Sequence, residues 1–361
     1  MKRRKFQHRQ NSSAFERRGR DQRAAHPQPT AGDGDFSPCQ IFIRLVGWEK
    51  IERGKGVSGE PETTIASVGK LVDESQFPPR PIDIAWSRGS RSTAIDLINR
   101  YHLAMQEHDQ AIASADEMWN GLGKDAIEYA RLHYMYGGRS GLKNIIDALI
   151  TADVGLPTTI LDFPSAHGRV TRFLKAAFPE SEIWAADINR DGVDFCSSRF
   201  GAIPFYSETD VREVSLPRRF DVIWCGSLAS HLPEEQCKVL FALLLDALET
   251  NGILCITTCG RGMQWAHENV FRTIHDSGYD KICRDLNERP FGFAPYEYRY
   301  GQYDSSQSYG MAFIYPEWIE KNILKPEIQV LLFREKGWHG AQDVWCLIKR
   351  PLSAWYDWAR A

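Results

Sequence analysis

The 361-residue sequence has no apolar stretch long enough to span a bilayer, and its N-terminus lacks the apolar core of a secretory signal. It also lacks a strong excess of one charge, because 44 Lys and Arg stand against 47 Asp and Glu, for a formal net charge of -3. A protein that binds nucleic acid over much of its surface usually carries a basic excess. These absences predict a cytoplasmic protein and argue against nucleic acid as its partner.

The eight cysteines include no pair with the spacing of a metal-binding motif, so no metal site is expected. Several of them lie inside apolar runs such as IWC and ILCI, where a free thiol behaves as a small buried hydrophobic group. This usage is typical of a reducing cytoplasm.

The first residues, 1–36, are polar, basic and poor in aliphatic side chains, so they cannot bury enough apolar surface to offset the entropy of ordering. We interpret them as a disordered basic tail; the alternative is a basic arm for nucleic acid or an anionic membrane. Residues 37–91 begin with a strand-like run at 41–48 and are predicted to be an extension with short strands and no assigned role.

Residues 92–154 carry apolar positions at helical spacing and predict an N-terminal helical cap. The first helix is expected over 92–119 with Ser92 as its N-cap, the second to end at Gly137 and Gly138, and the third to lead to Pro157. The cap either packs against the sheet that follows or forms a lid that brings Tyr134 or Tyr136 near a ligand.

From 155 to 350, predicted strands and helices alternate. The strands are expected at 158–163, 181–188, 203–207, 220–226, 252–260, 328–335 and 342–350, and the helices at 168–179, 190–201 and 233–251. Near-continuous apolar strands joined through helices predict an α/β fold with a doubly wound, Rossmann-like sheet. The segment GWHGA is short enough to join the last two strands as a C-terminal antiparallel hairpin, and 351–361 is expected to be a tail.

The loop after the first strand is the first candidate binding segment, because ligands of doubly wound sheets meet the strand ends and free helix amides there. Asp162 is expected to orient the loop or reach a ligand's amino group, and Gly168 to permit close backbone approach. The predicted cofactor-binding residues of this segment are Asp162, Pro164, Ser165, Ala166, His167 and Gly168.

Acidic residues also follow the next two strands. Asp187, beside Ile188, is expected to accept hydrogen bonds from both hydroxyls of a ribose; a turn or N-cap aspartate is the alternative. Asp210 is expected to accept from an adenine amine while the amide of Val211 meets a ring nitrogen. The alternative for Asp210 is a surface acid beside Arg212.

The fourth strand ends at Cys225 and Gly226, where small residues would let a ligand lie against the backbone. Ser227 and His231 follow and are expected near the mouth of the site. His231 is the candidate catalytic base, because imidazole is well suited to proton removal near neutral pH. A structural hydrogen-bonding role is the alternative.

Residues 159–261 resemble the class I S-adenosylmethionine-dependent methyltransferases, particularly a bacterial group associated with glycosyltransferases and surface polysaccharides. The first loop, LDFPSAHGRV, is similar to that group's LDLPCGHGRV, and AADINRDGVDFC, FDVIWCGSLASHL and QDVWCLIKRP resemble its second, fourth and closing strands. The resemblance implies S-adenosyl-L-methionine as the cofactor and in-line methyl transfer to a glycan, glycolipid or related small-molecule acceptor. The first loop departs from the family pattern, since Ala166 adds a methyl group close to the cofactor's methionine part.

Residues 262–325 are expected to be an acceptor-side insertion, because their tyrosines, phenylalanines and Arg299 suit a sugar ring or a planar substrate. The alternative is a long loop whose aromatic side chains cover the sheet edge. Three other functions stay open: a catalytically silent scaffold that binds S-adenosylmethionine, a nucleic-acid methyltransferase guided by the basic tail, and a dinucleotide-dependent oxidoreductase. The sequence leaves the oligomeric state and the acceptor atom open.

Overall fold

The computed structural model describes residues 88–122, 127–297 and 308–351. The predicted tail at 1–36, most of the extension at 37–91, Arg299 and residues 352–361 lie outside these described residues. Among the helices that are described, none combines the length and apolar character needed to cross a membrane.

Seven strands form the central sheet in the order β3–β2–β1–β4–β5–β9–β8. Their bounds are β1 Thr159–Asp162, β2 Glu182–Asp187, β3 Ile203–Tyr206, β4 Phe220–Cys225, β5 Leu248–Thr258, β8 Ile328–Trp338 and β9 Gln342–Lys349. Strands β1 to β5 are parallel to one another, whereas β9 is antiparallel to both β5 and β8. The predicted doubly wound sheet with a closing antiparallel hairpin is confirmed.

The hairpin turn has the backbone that a tight connection requires. His339 and Gly340 both have positive φ, 59° and 70°, and the Ala341 amide donates to the Trp338 carbonyl at 3.1 Å. Two consecutive positive φ values match the twist of the flanking strands, and glycine accommodates one of them at no steric cost.

Helices cover both faces of this sheet, because neighbouring strand residues point to opposite sides. Leu161 packs with Leu240 on one face, and Ile160 packs with Ile145 and Phe173 on the other. The helices are α1 Arg88–Glu107, α2 Glu117–Asn120, α3 Ile127–Ala152, α4 Thr171–Ala177, α5 Arg190–Phe200, α6 Glu234–Asp246, α7 Arg261–Asn269, α8 Asp276–Glu288 and α9 Pro316–Asn322.

The first predicted helix is wrong at both ends. Helix α1 begins at Arg88, so Ser92 lies inside it and is not its N-cap. The chain leaves the helix after Glu107, where the Asp109 carboxylate accepts the Ala111 amide at 2.7 Å. Short polar side chains that bond to nearby amides compete with the helix in this way.

The predicted break at Gly137 and Gly138 is also wrong, since α3 runs through both glycines. A Cβ at Gly138 would lie 2.1 Å from the Arg169 carbonyl oxygen, and one at Gly137 would lie 2.8 Å from His339 Nε2. The glycines therefore allow α3 to pack closely against the first loop and the hairpin turn. This tertiary packing outweighs their low helix propensity.

The helix expected over 233–251 ends at Asp246, and Leu248 instead begins β5 by pairing with Phe220. The strand then passes an irregularity at Asn251, whose φ is 63°. A helix propensity that continues beyond residue 246 is overridden here by pairing with the neighbouring strand.

The insertion at 262–325 is largely ordered into helices and strands, so its described part is not a long loop. It contains most of α7, all of α8 and α9, and a two-stranded antiparallel sheet of β6 Phe291–Pro295 and β7 Gly310–Ile314. Met263, Ile282 and Phe313 share a small core of their own. This unit brings β7 next to the segment that follows β4.

Candidate functional site

One cavity, here called the main cavity, lies at the carboxyl ends of β1, β2 and β4. The predicted site residues that line it are Asp162, Pro164, Ser165, Ala166, His167, Asp187, Ile188, Gly226, Ser227 and His231. The lining is completed by residues of the cap, the insertion and the hairpin and by further residues at the strand ends: Asp116, Glu117, Met118, Tyr134, Arg169, Val170, Asn189, Trp224, Cys259, Met263, Tyr296, Tyr309, Met311, Trp338 and Gln342. The topology thus collects residues that are far apart in the chain.

A smaller side cavity adjoins the main cavity and shares Pro164, Asp187, Ile188 and Tyr309 with it. Val211 lines this side cavity together with Leu228, whereas none of the described residues of the cap lines it. The side cavity therefore extends from the β2 tip toward the segment after β3.

The Asp187 carboxylate is buried and held in a fixed orientation by two backbone amides. Its Oδ2 accepts the Ala166 amide at 2.8 Å, and its Oδ1 accepts the Asn189 amide at 2.8 Å. Burial raises the pKa of this carboxyl above its ordinary value. The N-cap of α5 is Asn189, so Asp187 does not have the alternative N-cap role.

Asp162 is a second buried carboxyl group at the cavity wall. Thr171 Oγ1 donates to its Oδ2 at 2.6 Å. Burial, with a smaller contribution from the nearby Asp187 charge, raises the pKa of Asp162 to about 7. The site therefore holds a carboxyl group that titrates near neutral pH.

The first loop is clamped between β2 and α5. The Ser165 amide donates to the Ala186 carbonyl at 2.9 Å, and a Cβ at Gly192 of α5 would lie 2.5 Å from the Ala166 carbonyl oxygen. Ala166 has a φ of 44°, in the left-handed region that favours glycine. This alanine therefore carries backbone strain.

Three predicted site residues are placed differently from the expectation. Gly168 does not line either cavity: a Cβ there would lie 2.5 Å from the Phe200 ring, so this glycine serves packing against α5. Cys225 is buried within the core below Gly226. Asp210 also lies outside both cavities, because its carboxylate is engaged by the Arg212 guanidinium, which lowers its pKa to about 2.

Ser227 is held in a strained backbone conformation by a closed hydrogen-bond network. Its φ is 63°, and its amide donates to Thr257 Oγ1 at 2.8 Å. Thr257 Oγ1 donates to Gln342 Oε1 at 2.6 Å, and Gln342 Nε2 donates to Ser227 Oγ at 2.9 Å. Sequence reasoning missed Thr257 and Gln342, although polar residues within otherwise apolar strands were a usable signal.

His231 is held with one ring nitrogen bonded and the other near the cavity. Nδ1 lies 2.9 Å from the Gly310 carbonyl oxygen and is assigned as its donor, because a carbonyl only accepts. Nε2 then carries the lone pair, 3.5 Å from Ser227 Oγ. Burial lowers the pKa of His231 to about 4, so the imidazole is neutral near pH 7.

The cap contributes to the cavity through Tyr134, whereas Tyr136 does not line it and is 47% exposed. Tyr134 OH donates to Asp116 Oδ2 at 2.5 Å, and the buried Arg172 donates to Tyr134 OH at 3.3 Å and to the Ala111 carbonyl at 2.5 Å. This array joins the cap to the first loop. Sequence analysis missed Asp116 and Arg172, since neither lies in a recognisable motif.

The insertion side of the main cavity is uncharged in the described residues. Here it is called the acceptor end and consists of His231, Cys259, Met263, Tyr296, Tyr309 and Met311. The His231 and Tyr309 rings stack with centroids 5.0 Å apart. Neutral, polarizable side chains of this kind suit an uncharged ligand.

No group of three His, Cys, Asp or Glu side chains in the described ranges is arranged to hold a metal ion.

The comparisons with known proteins agree with this arrangement. Residues 160–252 match a family model described as a methyltransferase domain. This match supports the prediction of a methyltransferase domain in this part of the chain. No curated protein sequence matches the chain.

Among solved structures, similar folds include an S-adenosylmethionine-dependent methyltransferase from Clostridium acetobutylicum, at 16% identity over 63% of this chain and 96% of that one, with a TM-score of 0.42. The N-methyltransferase NodS from Bradyrhizobium japonicum has 13% identity over 70% and 99%, with a TM-score of 0.37. Human N-acetylserotonin methyltransferase has 12% identity over 72% and 68%, with a TM-score of 0.37.

Proposed function

We propose that this methyltransferase transfers the methyl group to a glycan, a glycolipid or a related small-molecule acceptor. The observation that carries the proposal is the division of one cavity into two unlike ends. Buried carboxyl groups lie at the strand tips, and neutral aromatic and sulfur-containing side chains lie at the acceptor end.

The strand tips fit the cofactor. The Asp187 oxygens each accept one backbone amide and keep further lone pairs for the hydroxyls of a ribose. The side cavity, with Ile188 and Val211, offers apolar walls for an adenine ring. We assign Asp162 and the loop from Pro164 to Ala166 to the methionine part. When bound, S-adenosyl-L-methionine supplies a sulfonium-activated methyl group.

The chain's own contribution is alignment, exclusion of water and removal of a proton from the acceptor. Held geometry accounts for several kcal/mol in well-oriented reactions, on the order of 7–11 at most. His231 is proposed as the base for a hydroxyl or amine acceptor, because it lines the cavity with Nε2 beside Ser227 Oγ while Nδ1 donates to Gly310.

A glycan suits the acceptor end for two reasons. Tyr296 and Tyr309 line this end of the cavity, and aromatic side chains suit the apolar face of a sugar ring. The acceptor end also has no charged side chain in its described part, so it favours a neutral sugar over an acidic one.

The test is methyl transfer from isotopically labelled S-adenosyl-L-methionine to a panel of neutral glycans, acidic glycans and nucleic acids. We expect incorporation into the neutral glycans and its loss in His231→Asn, a change that keeps a donor for Gly310. Incorporation only into nucleic acid would contradict the proposal.

The strained Ala166 favours one second function, a silent scaffold that binds the cofactor without turnover. Calorimetric binding of S-adenosylmethionine combined with no transfer to any acceptor in the panel would support the scaffold and contradict the enzyme proposal. Restored turnover in Ala166→Gly would identify the strain as its cause.

We further propose that the protein works in the cytoplasm. Cys196, Cys225, Cys237 and Cys259 are free and buried, and the free thiols of Cys255 and Cys346 lie 3.3 Å apart across two strands. Adjacent thiols without a linkage are the form that a reducing compartment maintains. Thiol titration of the protein purified from its native cell without reductant would show all of these groups reduced; a disulfide between Cys255 and Cys346 would contradict the assignment.

A further inference from the structure

The charges around the main cavity are uneven. Four acidic residues line it: Asp116, Glu117, Asp162 and Asp187. Among the described residues of its lining, Arg169 is the one side chain with a permanent positive charge. A single cation in such surroundings is a candidate receptor for an anionic group of a ligand.

The Arg169 guanidinium is held in place by packing, and its donors make no hydrogen bond to the described part of the protein. It lies over the Trp338 ring, 5.0 Å from the centroid, and no residue in the described ranges gives it a hydrogen bond or ion pair. The nearby Arg172 differs, because its donors bind Gly168 and Ala111 carbonyl oxygens at 3.0 and 2.5 Å. Arg172 is therefore structural, whereas Arg169 keeps its donors available.

The acids of the cavity have partners of their own. Tyr134 and two backbone amides bond to Asp116, Thr171 bonds to Asp162, and two amides bond to Asp187. These acids already have hydrogen-bond partners. The half-buried Arg169 guanidinium is therefore stabilised best by a planar anion of a ligand that accepts two parallel hydrogen bonds. A carboxylate has that geometry.

The position of Arg169 indicates which carboxylate it takes. The side cavity, proposed for adenine, begins beyond Asp187 and does not include Arg169. Arg169 instead follows the first loop and contacts the hairpin residue Trp338. It also lies against the cap helix α3, because a Cβ added at Gly137 would be 3.2 Å from the Arg169 Cδ. The end of the cofactor farthest from adenine is its amino-acid part, which carries a carboxylate.

We propose that Arg169 binds the carboxylate of the cofactor's methionine part, with Trp338 orienting the guanidinium plane. The inference rests on the proposed placement of the cofactor. It assigns to Arg169 the ability to distinguish the complete cofactor from nucleosides that lack the amino acid.

Two probes separate these ligands: S-adenosylhomocysteine, which has the carboxylate, and 5′-methylthioadenosine, which lacks the whole amino-acid part. Their dissociation constants are to be measured by calorimetry for the wild type, Arg169→Met and Arg169→Lys. Arg139→Met is the matched control, because Arg139 is exposed on α3 and does not line the cavity.

In Arg169→Met we expect S-adenosylhomocysteine to bind at least about tenfold more weakly, the loss typical of a charged hydrogen-bonded pair, and 5′-methylthioadenosine to change less than about twofold. Arg169→Lys keeps the charge but not the paired donors, so its loss for S-adenosylhomocysteine is smaller. Arg139→Met leaves both constants unchanged. Arg169→Lys also provides the test if Arg169→Met fails to fold.

Unchanged S-adenosylhomocysteine affinity in Arg169→Met would overturn the inference. Arg169 would then be available for an anionic group of the acceptor and not for the cofactor carboxylate. Equal losses for both probes would overturn it as well, because the residue would then act through the fold. A wild type that binds neither probe would contradict the proposed function itself, which keeps the two failures distinguishable.

Discussion

The two ends of the main cavity are built by different means. At the strand tips, Asp187 is fixed by backbone amides and Asp162 by a neighbouring hydroxyl, so both orientations follow from the sheet. At the acceptor end, His231 takes its orientation from Gly310, a residue 79 positions away in the inserted unit. The cofactor end is thus set by local strand geometry, and the acceptor end by how the insertion packs.

The two ends also differ in how they titrate. Burial raises the pKa of Asp162 to about 7, and the same cause lowers the pKa of His231 to about 4. Burial disfavours the charged form of each group, so near pH 6 both are mostly neutral. Substitutions at the acceptor end are therefore expected to change kcat, whereas substitutions at the strand tips are expected to change the affinity for the cofactor and its pH dependence.

The largest effect is expected at the acceptor end. His231→Asn keeps a donor for Gly310 but removes Nε2, so kcat for methyl transfer should fall about 100-fold, within the range for loss of a general base. S-adenosylhomocysteine affinity should change less than about twofold, because the cofactor end is intact. Steady-state kinetics with calorimetry measures both.

The matched control for that change is His275→Asn, since His275 is exposed and caps α8 with a side chain that asparagine can replace. Its kcat should equal that of the wild type. Equal losses of kcat and of cofactor affinity in His231→Asn would show that the two ends are not separable.

The next effect is a pH dependence at the cofactor end. Below its raised pKa, Asp162 is protonated, whereas a bound ammonium group favours the carboxylate. Ligand binding then releases a proton, so S-adenosylhomocysteine affinity should rise about tenfold between pH 6 and pH 8. Asp162→Asn should flatten this profile; a profile equally steep in the variant would assign the titration to another group.

The smallest effect concerns the strained first loop. Ala166→Gly places glycine where φ is 44°, which relieves backbone strain, and it removes a methyl group from the cavity wall. The larger conformational entropy that glycine loses on folding opposes this gain in stability. We expect a net gain of about 0.5 kcal/mol in the free energy of unfolding and about twofold tighter S-adenosylhomocysteine binding. Chemical denaturation and calorimetry measure these, and weaker binding would contradict a cofactor position beside Ala166.

The contrast between the two ends also explains what the sequence could predict. The doubly wound sheet and the position of Asp187 at the end of its second strand follow from alternation of apolar strands with helices, which is a local pattern. Gly137 and Gly138 misled the prediction because a local helix-breaking signal was outweighed by packing against Arg169 and His339.

Residues that act through distant partners were not predictable in this way. Gln342 reaches Ser227 across 115 positions, and Arg172 reaches Ala111 across 61. Asp210 illustrates the opposite error: it follows the third strand as expected, yet the adjacent Arg212 engages its carboxylate. Topology fixes which strand ends meet, whereas side-chain partners decide which acids face the cavity.

The central claim is that the tip of β2 holds the sugar of the cofactor, and titration of S-adenosylhomocysteine into Asp187→Ala and Asp210→Ala tests it most directly. We expect at least about tenfold weaker binding, about 1.4 kcal/mol, for Asp187→Ala and an unchanged dissociation constant for Asp210→Ala. Wild-type affinity in a folded Asp187→Ala variant would contradict the claim.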